Sequence, residues 1–241
     1  MPKSNKEWVY WGQTDPLWAV LSLPGRQAGE ARAWTAEEFL AHGRDYFALV
    51  RNQWEHYGMG SSHCLEIGAG SGRLTKQLLS RFARVTAVDV SSAQLENAAL
   101  LLGSDAQRVT FAVVDEPRFP VPDGSADGLF CAEVFQHFSS FDPIEAYLRD
   151  GFRALGSGGT VCFQMPVTGV HQLSELRFHL RSIRTTVERL VGRKHVMEYR
   201  LYSAKRVLAM LSTIGYVDCQ LRAFGVGGHE GQHAYFFGRK P

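Results

Sequence analysis

A chain of 241 residues with 26 basic and 24 acidic side chains carries a net charge of +2, without the excess of either sign that a phosphate-neutralising surface requires. It falls under the roughly 250–300 residues at which one hydrophobic core stops growing, so a single domain over residues 1–241 is expected. Neither the polar start "MPKSNKEW" nor any later run offers a signal-peptide core or ~18 unbroken apolar residues, which points to a soluble, cytoplasmic protein with no membrane partner.

In chain order, an aromatic-rich N-terminal piece (Trp8, Tyr10, Trp11, Trp18, Trp34) leads to a Thr35/Glu38 capping box and a helix bearing Phe39, Tyr46, Phe47, Val50 and Trp54. From there short apolar runs alternate with helical patterns. Strands are expected at 63–67, 84–90, 109–114, 128–134, 160–165, 217–224 and 234–239. Helices start at Ser91 and Gln94, which make a second capping box, at Asp142, Pro143 and Glu145, and at Ser203, the last ending at Gly215. Cys64, Cys131, Cys162 and Cys219 each sit in a strand-like run without a CxxC pair, so they read as buried core thiols in a reducing compartment; no metal site is expected. The final two strands are joined by "GVGGHEGQ", too short for a helix, and should form an antiparallel hairpin.

The expected fold class is therefore α/β, a doubly wound, seven-stranded, mostly parallel sheet with the last strand antiparallel. Residues 1–57 read as a lid, 58–166 as the ligand-binding half, 167–200 as a helical insertion between the fifth and sixth strands, and 201–241 as a C-terminal helix and hairpin. The insertion carries Leu173, Leu176, Leu180, Ile183, Val187 and Leu190 at helical spacing, a stripe that suits core or dimer packing.

The stretch "LEIGAGSGRLTKQLL" places Glu66 just before a glycine turn. Such a turn lets a ligand approach the backbone, and a following helix start presents about half a unit of positive charge. A dinucleotide would bring its pyrophosphate there, yet a carboxylate ~4 Å from one phosphate charge costs about 4 kcal/mol at an effective dielectric of 20. The spacing is also GxGxG rather than GxGxxG, with Arg73 where the dinucleotide fingerprint wants glycine. A better fit is adenosine joined to a group both cationic and anionic, as in S-adenosylmethionine.

With "EIGAGSG" the chain resembles the class I S-adenosylmethionine-dependent methyltransferases. The match continues through "VTAVDVS", "VTFAVVDEPRFPVPDGSADGLFCAEVFQHF" and "FRALGSGGTVCFQMP", where Ser157 replaces the proline of the family's usual ALxPGG. The resemblance implies that Glu66 holds the methionine ammonium, directly or through water, and that backbone at Ile67, Gly68, Ala69 and Gly70 cradles the rest. It also implies that Asp89 accepts from both ribose hydroxyls, that Asp115 accepts from the adenine amino group, and that the Glu116 N–H faces the ring. Arg73, Val90, Ala132, Glu133 and His137 complete the implied cofactor site. Read without the resemblance, Glu66 is a strand-end acid, Asp89 a helix N-cap, Asp115 and Glu116 a solvated turn, and the glycines serve packing.

Methyl transfer needs alignment, and a base only for a protonated acceptor. His137 and His171 are the candidate bases, against readings as a packing group and a solvated helix end. Glu133 either attracts the sulfonium or caps. Tyr10 and Trp11 close over the methionine moiety and the acceptor or pack the lid; Arg177, Arg181 and Arg184 meet an anionic acceptor or form a solvated face. The expected activity is methylation of O or N of a small molecule such as a specialised metabolite or sugar, by a monomer or homodimer that takes no nucleic acid. The other readings are an RNA or protein methyltransferase, a non-catalytic cofactor-binding module and a NAD-dependent oxidoreductase.

Overall fold

The computed structural model of the protein describes residues 3–168, 199–226 and 229–241. Two N-terminal helices, α1 (Lys3–Thr14) and α2 (Pro16–Val20), precede the long α3 (Ala36–Tyr57). The alternating part runs β1 (His63–Ile67), α4 (Thr75–Leu78), β2 (Arg84–Asp89), α5 (Ser92–Leu102), β3 (Val109–Val113), β4 (Ala126–Cys131), α6 (Asp142–Ala154) and β5 (Leu155–Thr168). After the undescribed 169–198 come β6 (Tyr202–Ser203), α7 (Ala204–Ile214), β7 (Val217–Val226) and β8 (His229–Arg239).

The sheet runs β3-β2-β1-β4-β5-β8-β7, with β6 paired to the end of β5 outside this path. Pairs β3·β2, β2·β1, β1·β4 and β4·β5 are parallel, whereas β8 is antiparallel to both β5 and β7. This is the doubly wound sheet with an antiparallel last strand that the sequence led us to expect, plus the two-residue β6. The order reverses between β1 and β4, so the crevice above their C-terminal ends is the switch point where such sheets take ligands.

Alternation along each strand sorts side chains between two cores. Cys64 of β1, Phe130 of β4, Cys162 of β5 and Tyr235 and Phe237 of β8 pack against Phe47, Val50 and Trp54 of α3 and Leu78 of α4. Leu65, Leu129, Cys131, Phe163 and Phe236, on the opposite face, meet Ile144 and Leu148 of α6 and Val207 and Leu211 of α7. The thiols of Cys64, Cys131 and Cys162 are free and buried, and that of Cys219 is free and half-buried. No described helix is long and apolar enough to cross a membrane.

The capping signals differ in outcome. Thr35 and Glu38 form the full reciprocal box. Ser91 accepts the Gln94 N–H at 3.4 Å, but the Gln94 side chain does not return to it and turns instead toward α2 and the glycine turn. At α6 the acidic start and proline are present without a side-chain cap. α3, inside the segment read as a lid, is a full layer of the main core: Phe39, Val50 and Trp54 are 0% exposed, and the Trp54 indole N–H donates to Thr160 Oγ1 at 2.9 Å. Its apolar stripe is wide enough to cover the sheet, and only α1 and α2 behave as a cover.

α3 also meets the glycine turn through Gly43, where a Cβ would lie 2.5 Å from the Arg73 carbonyl oxygen and 2.6 Å from Arg73 Cγ. An exposed helical glycine replaced by leucine gains about 0.8 kcal/mol of helix propensity. Gly43→Leu should instead lower the unfolding free energy by about 2 kcal/mol in urea titrations, because overpacking outweighs propensity. A stabilised variant would show that α3 does not press on Arg73.

Candidate cofactor and acceptor site

The turn after β1 takes three left-handed glycines, Gly68 (φ 70°), Gly70 (φ 52°) and Gly72 (φ 80°), so residues with side chains are disfavoured there twice over. A Cβ on Gly68 would overlap Val134, and one on Gly70 would lie 2.7 Å from Val20 Cγ2. Gly68 and Ala69 donate to the Val88 carbonyl (2.8 and 3.2 Å), and Gly70 N–H donates to Asp89 Oδ2 at 2.9 Å. The turn is thereby bent over the end of β2. The helix that follows, α4, has four residues, so its macrodipole is small and the polar character of the site comes from side chains.

Glu66 is 2% exposed, and Thr75 Oγ1 donates to its Oε2 at 2.6 Å. Burial pushes its carboxyl up to about 8, offset in part by the Thr75 bond and reinforced by Asp89, with Arg73 pulling down. Asp89, at the end of β2, is also pushed up by burial and held down by backbone N–H groups of Ser91, Gly70 and Val90. It therefore serves as an N-terminal brace of α5 while standing beside the glycine turn.

Arg73 is buried, with its side chain 3% exposed. Its Nη2 pairs with Glu133 Oε2 at 2.5 Å, its Nη1 donates to His42 Nδ1 at 3.1 Å, and its guanidinium carbon stands 5.2 Å from the Tyr46 ring centre. Its Nε finds no partner among the described residues. His42 is pushed below the usual imidazole range by burial, then by Arg73, which suits its accepting role. Glu133 thus pairs with a cation of the chain itself, and its backbone adopts φ 61°, a left-handed conformation unusual for a residue with a side chain. Its N–H is anchored by Gln164 Oε1 at 2.9 Å.

Of the remaining sequence-derived residues, Ala132 is buried among the α3-side core residues together with Ala69, and Val90 is half-buried. Val114 N–H donates to the Asp89 carbonyl at 3.0 Å, which sets the exposed Asp115 and Glu116 beside the end of β2. His137 ends a single 3₁₀ turn (Phe135–His137), and its ring meets Trp8 of α1 edge-on with centroids 4.7 Å apart. Tyr10 is 38% exposed and packs on Trp11, which in turn meets Trp18. Trp8, rather than Tyr10 or Trp11, is the lid aromatic that meets His137. His171, Arg177, Arg181 and Arg184 lie outside the described residues.

The lid is tied to the turn by polar groups that no local motif announces. Gln94 Nε2 donates to the Pro16 carbonyl at 3.1 Å, Ser71 Oγ bonds Gln94 Oε1 at 2.5 Å and also lies 3.3 Å from that carbonyl, and Asn97 Nδ2 donates to Ser71 Oγ at 2.8 Å. Gln94 and Ser71 are 2% and 0% exposed, so these bonds are sheltered from water.

Residues 65–163 match the family model described as a methyltransferase domain. A 29% identical relative over 161 residues is the malonyl-[acyl-carrier protein] O-methyltransferase of Geobacter sulfurreducens, with 66% of this chain and 57% of that protein aligned. A hybrid PKS-NRPS synthetase of Penicillium oxalicum is 32% identical over 140 residues, 55% of this chain and 3% of that protein. The chain thus spans little more than half the length of one of these relatives and a small part of the other. Among solved structures, the N-methyltransferase NodS from Bradyrhizobium japonicum, in complex with S-adenosyl-L-homocysteine, superposes with a TM-score of 0.65 over 100% of both chains at 14% identity, a likeness of fold. Residues 65–163 are thus a methyltransferase domain, and the fold is that of S-adenosylmethionine-dependent methyltransferases.

The residues present fit that cofactor. Among the described residues, a buried acid that accepts one hydrogen bond, from the Thr75 hydroxyl, and a buried guanidinium with an orphaned Nε stand ready for the two ends of a zwitterion, and Asp89 retains acceptor capacity for hydroxyl groups.

Two outcomes follow from these contacts. Gln94→Ala should speed amide exchange in residues 3–20 by roughly tenfold, the loss of about one net hydrogen bond, while the β1–β5 core exchanges as before. Unchanged protection of α1 would show that the lid is held otherwise. Because the folded carboxyl of Glu66 binds its proton more tightly than the usual 4.5, its contribution to stability is intact below that value and is lost as pH rises toward about 8. Glu66→Gln should therefore be more stable than the parent at pH 8 by on the order of a few kcal/mol, with the difference narrowing toward pH 4.5, in paired denaturation series.

Proposed function

We propose that the protein transfers the methyl group of S-adenosylmethionine to an oxygen or nitrogen of a small-molecule acceptor, a specialised metabolite or a sugar. The observation that carries this reading is Glu66, a fully buried carboxyl at the mouth of a glycine turn, with its proton affinity raised to about 8. A pyrophosphate is repelled by such a group when ionised and gains nothing from it that a plain glycine turn would not give. An ammonium offers the charge that burial has denied it.

In this assignment Glu66 takes the methionine ammonium and Arg73 the carboxylate. Gly68 to Gly70 admit the chain between them, Asp89 accepts from the ribose hydroxyls, and Asp115 and the Glu116 N–H address the adenine. The bound cofactor supplies an electrophilic methyl group on sulfur. The work left to the protein is alignment of acceptor and methyl, which effective molarities show to be the larger part of such a displacement. The Glu133–His137 turn forms the wall on the acceptor side, and Trp8 closes over His137. The Gln136 Nε2 donor, 3.2 Å from His137 Nε2, engages the lone pair of that nitrogen, so His137 can take the proton of a hydroxyl acceptor there only once that bond is given up. The O-methyltransferase and N-methyltransferase relatives support both acceptor atoms.

Titration calorimetry with S-adenosylhomocysteine, run at pH 7 in buffers of different ionisation enthalpy, tests the assignment. Binding should release close to one proton, because Glu66 must ionise to meet the ammonium, and Glu66→Gln should abolish the release while weakening affinity. Heat from NAD with none from S-adenosylhomocysteine would end this reading in favour of an oxidoreductase.

A further inference from the structure

Beyond the glycine turn, the ends of β4, β5 and β8 share a chain of hydrogen bonds that admits one set of proton positions. The Glu133 N–H can only donate, so the Gln164 atom 2.9 Å away is the amide oxygen. The other end of that amide, Nε2, can only donate, and it lies 2.6 Å from His233 Nδ1. Nδ1 must therefore carry the lone pair. In a neutral ring the proton then sits on Nε2, which faces the Tyr199 hydroxyl oxygen at 3.3 Å. Gln164 is 1% exposed, so water offers it no alternative partner.

We infer that Gln164 and His233 are positioning residues for the Glu133 turn, with His233 held as the Nε2–H tautomer. Glu133 sits at φ 61°, a conformation that costs about 1 kcal/mol or more and persists only where surrounding contacts over-determine it. Two contacts do so here: Gln164 takes its N–H and Arg73 its carboxylate. The same turn places Val134 against Gly68 and His137 against Trp8, so the orientation of one amide on β5 sets the wall of the crevice. The second link matters because an imidazolium donates from both nitrogens. It would meet the Gln164 Nε2 donor head-on, and rotating the amide to relieve that would turn a donor toward the Glu133 N–H. A neutral His233 and an anchored Glu133 thus go together. Among the described residues His233 meets Gln164 of β5, Tyr199 from the segment before β6 and Phe224 of β7, whose ring is 5.7 Å away.

The functional consequence rests on the methyl-transfer reading; the tautomer does not. Nitrogen-15 labelling of the histidines in the full chain, with long-range proton–nitrogen correlation at neutral pH, reads the tautomer directly. His233 should show an unprotonated Nδ1 and a protonated Nε2. Gln164→Glu should give a doubly protonated ring at the same pH, and Gln164→Leu a mixture of tautomers. An Nδ1–H ring in the parent protein, or one unchanged by Gln164→Leu, overturns the inference. Affinity for S-adenosylhomocysteine supplies the second readout. Gln164→Leu and His233→Leu should each weaken it by about tenfold, the worth of one hydrogen bond, whereas His233→Asn, which can offer an oxygen close to the Nδ1 position, should stay within about twofold. Parent-like affinity in both leucine variants overturns the positioning role while leaving methyl transfer standing. A parent protein that binds no S-adenosylhomocysteine overturns methyl transfer and this consequence of the relay, and the tautomer spectrum still decides the relay itself.

Discussion

Burial of an acid and a guanidinium around one glycine turn is the constraint on which the site depends. Glu66 and Arg73 are each 2% exposed, at the switch point of the sheet, where ordinary packing would favour apolar side chains. Isolated charges in such a place are costly, and the molecule answers each differently. Glu66 retains its proton and accepts a threonine hydroxyl. Arg73 cannot shed its charge, and it is matched by Glu133 and steadied by His42 and Tyr46. A zwitterionic ligand end would complete both arrangements, which is why the geometry suits an amino-acid nucleoside.

Much of the architecture exists to hold these two groups. Gly43 lets α3 approach until its backbone touches Arg73, and His42 and Tyr46, on neighbouring positions of the same helix, line the guanidinium. On the far side the turn after β4 is braced by Gln164 of β5, itself coupled to His233 of β8. Above, α1 and α2 are latched through Gln94 and Ser71, so the cover is bonded to the same glycine turn it covers. The placement of α1 and α2 and the shape of the turn are therefore linked through these bonds.

The fold is shared with N-methyltransferases of low sequence identity, and the matched domain with O-methyltransferase relatives. That combination is expected when the cofactor half of a sheet is held constant and the acceptor is chosen by added segments. Here α1 and α2 lie outside the matched residues 65–163, and Trp8 of α1 meets His137 of the turn after β4.

Local patterns were enough to place β1 to β5, to order Glu66, Asp89 and Asp115 at successive strand ends, and to locate the caps at Thr35 and Ser203, because these depend on residues a few positions apart. The brevity of α4, four residues without a side-chain cap, was not legible. Nor could a sequence show that Arg73 meets Glu133 across 60 positions, that Gln94 would leave its capping box for Pro16 across 78, or that Gln164 would reach His233 across 69. Those partners are set by strand order and by which face of each element is buried. Periodicity records which side of a strand or helix faces inward; only the closed sheet decides what waits there, and a buried polar group takes whichever partner the packing brings within reach.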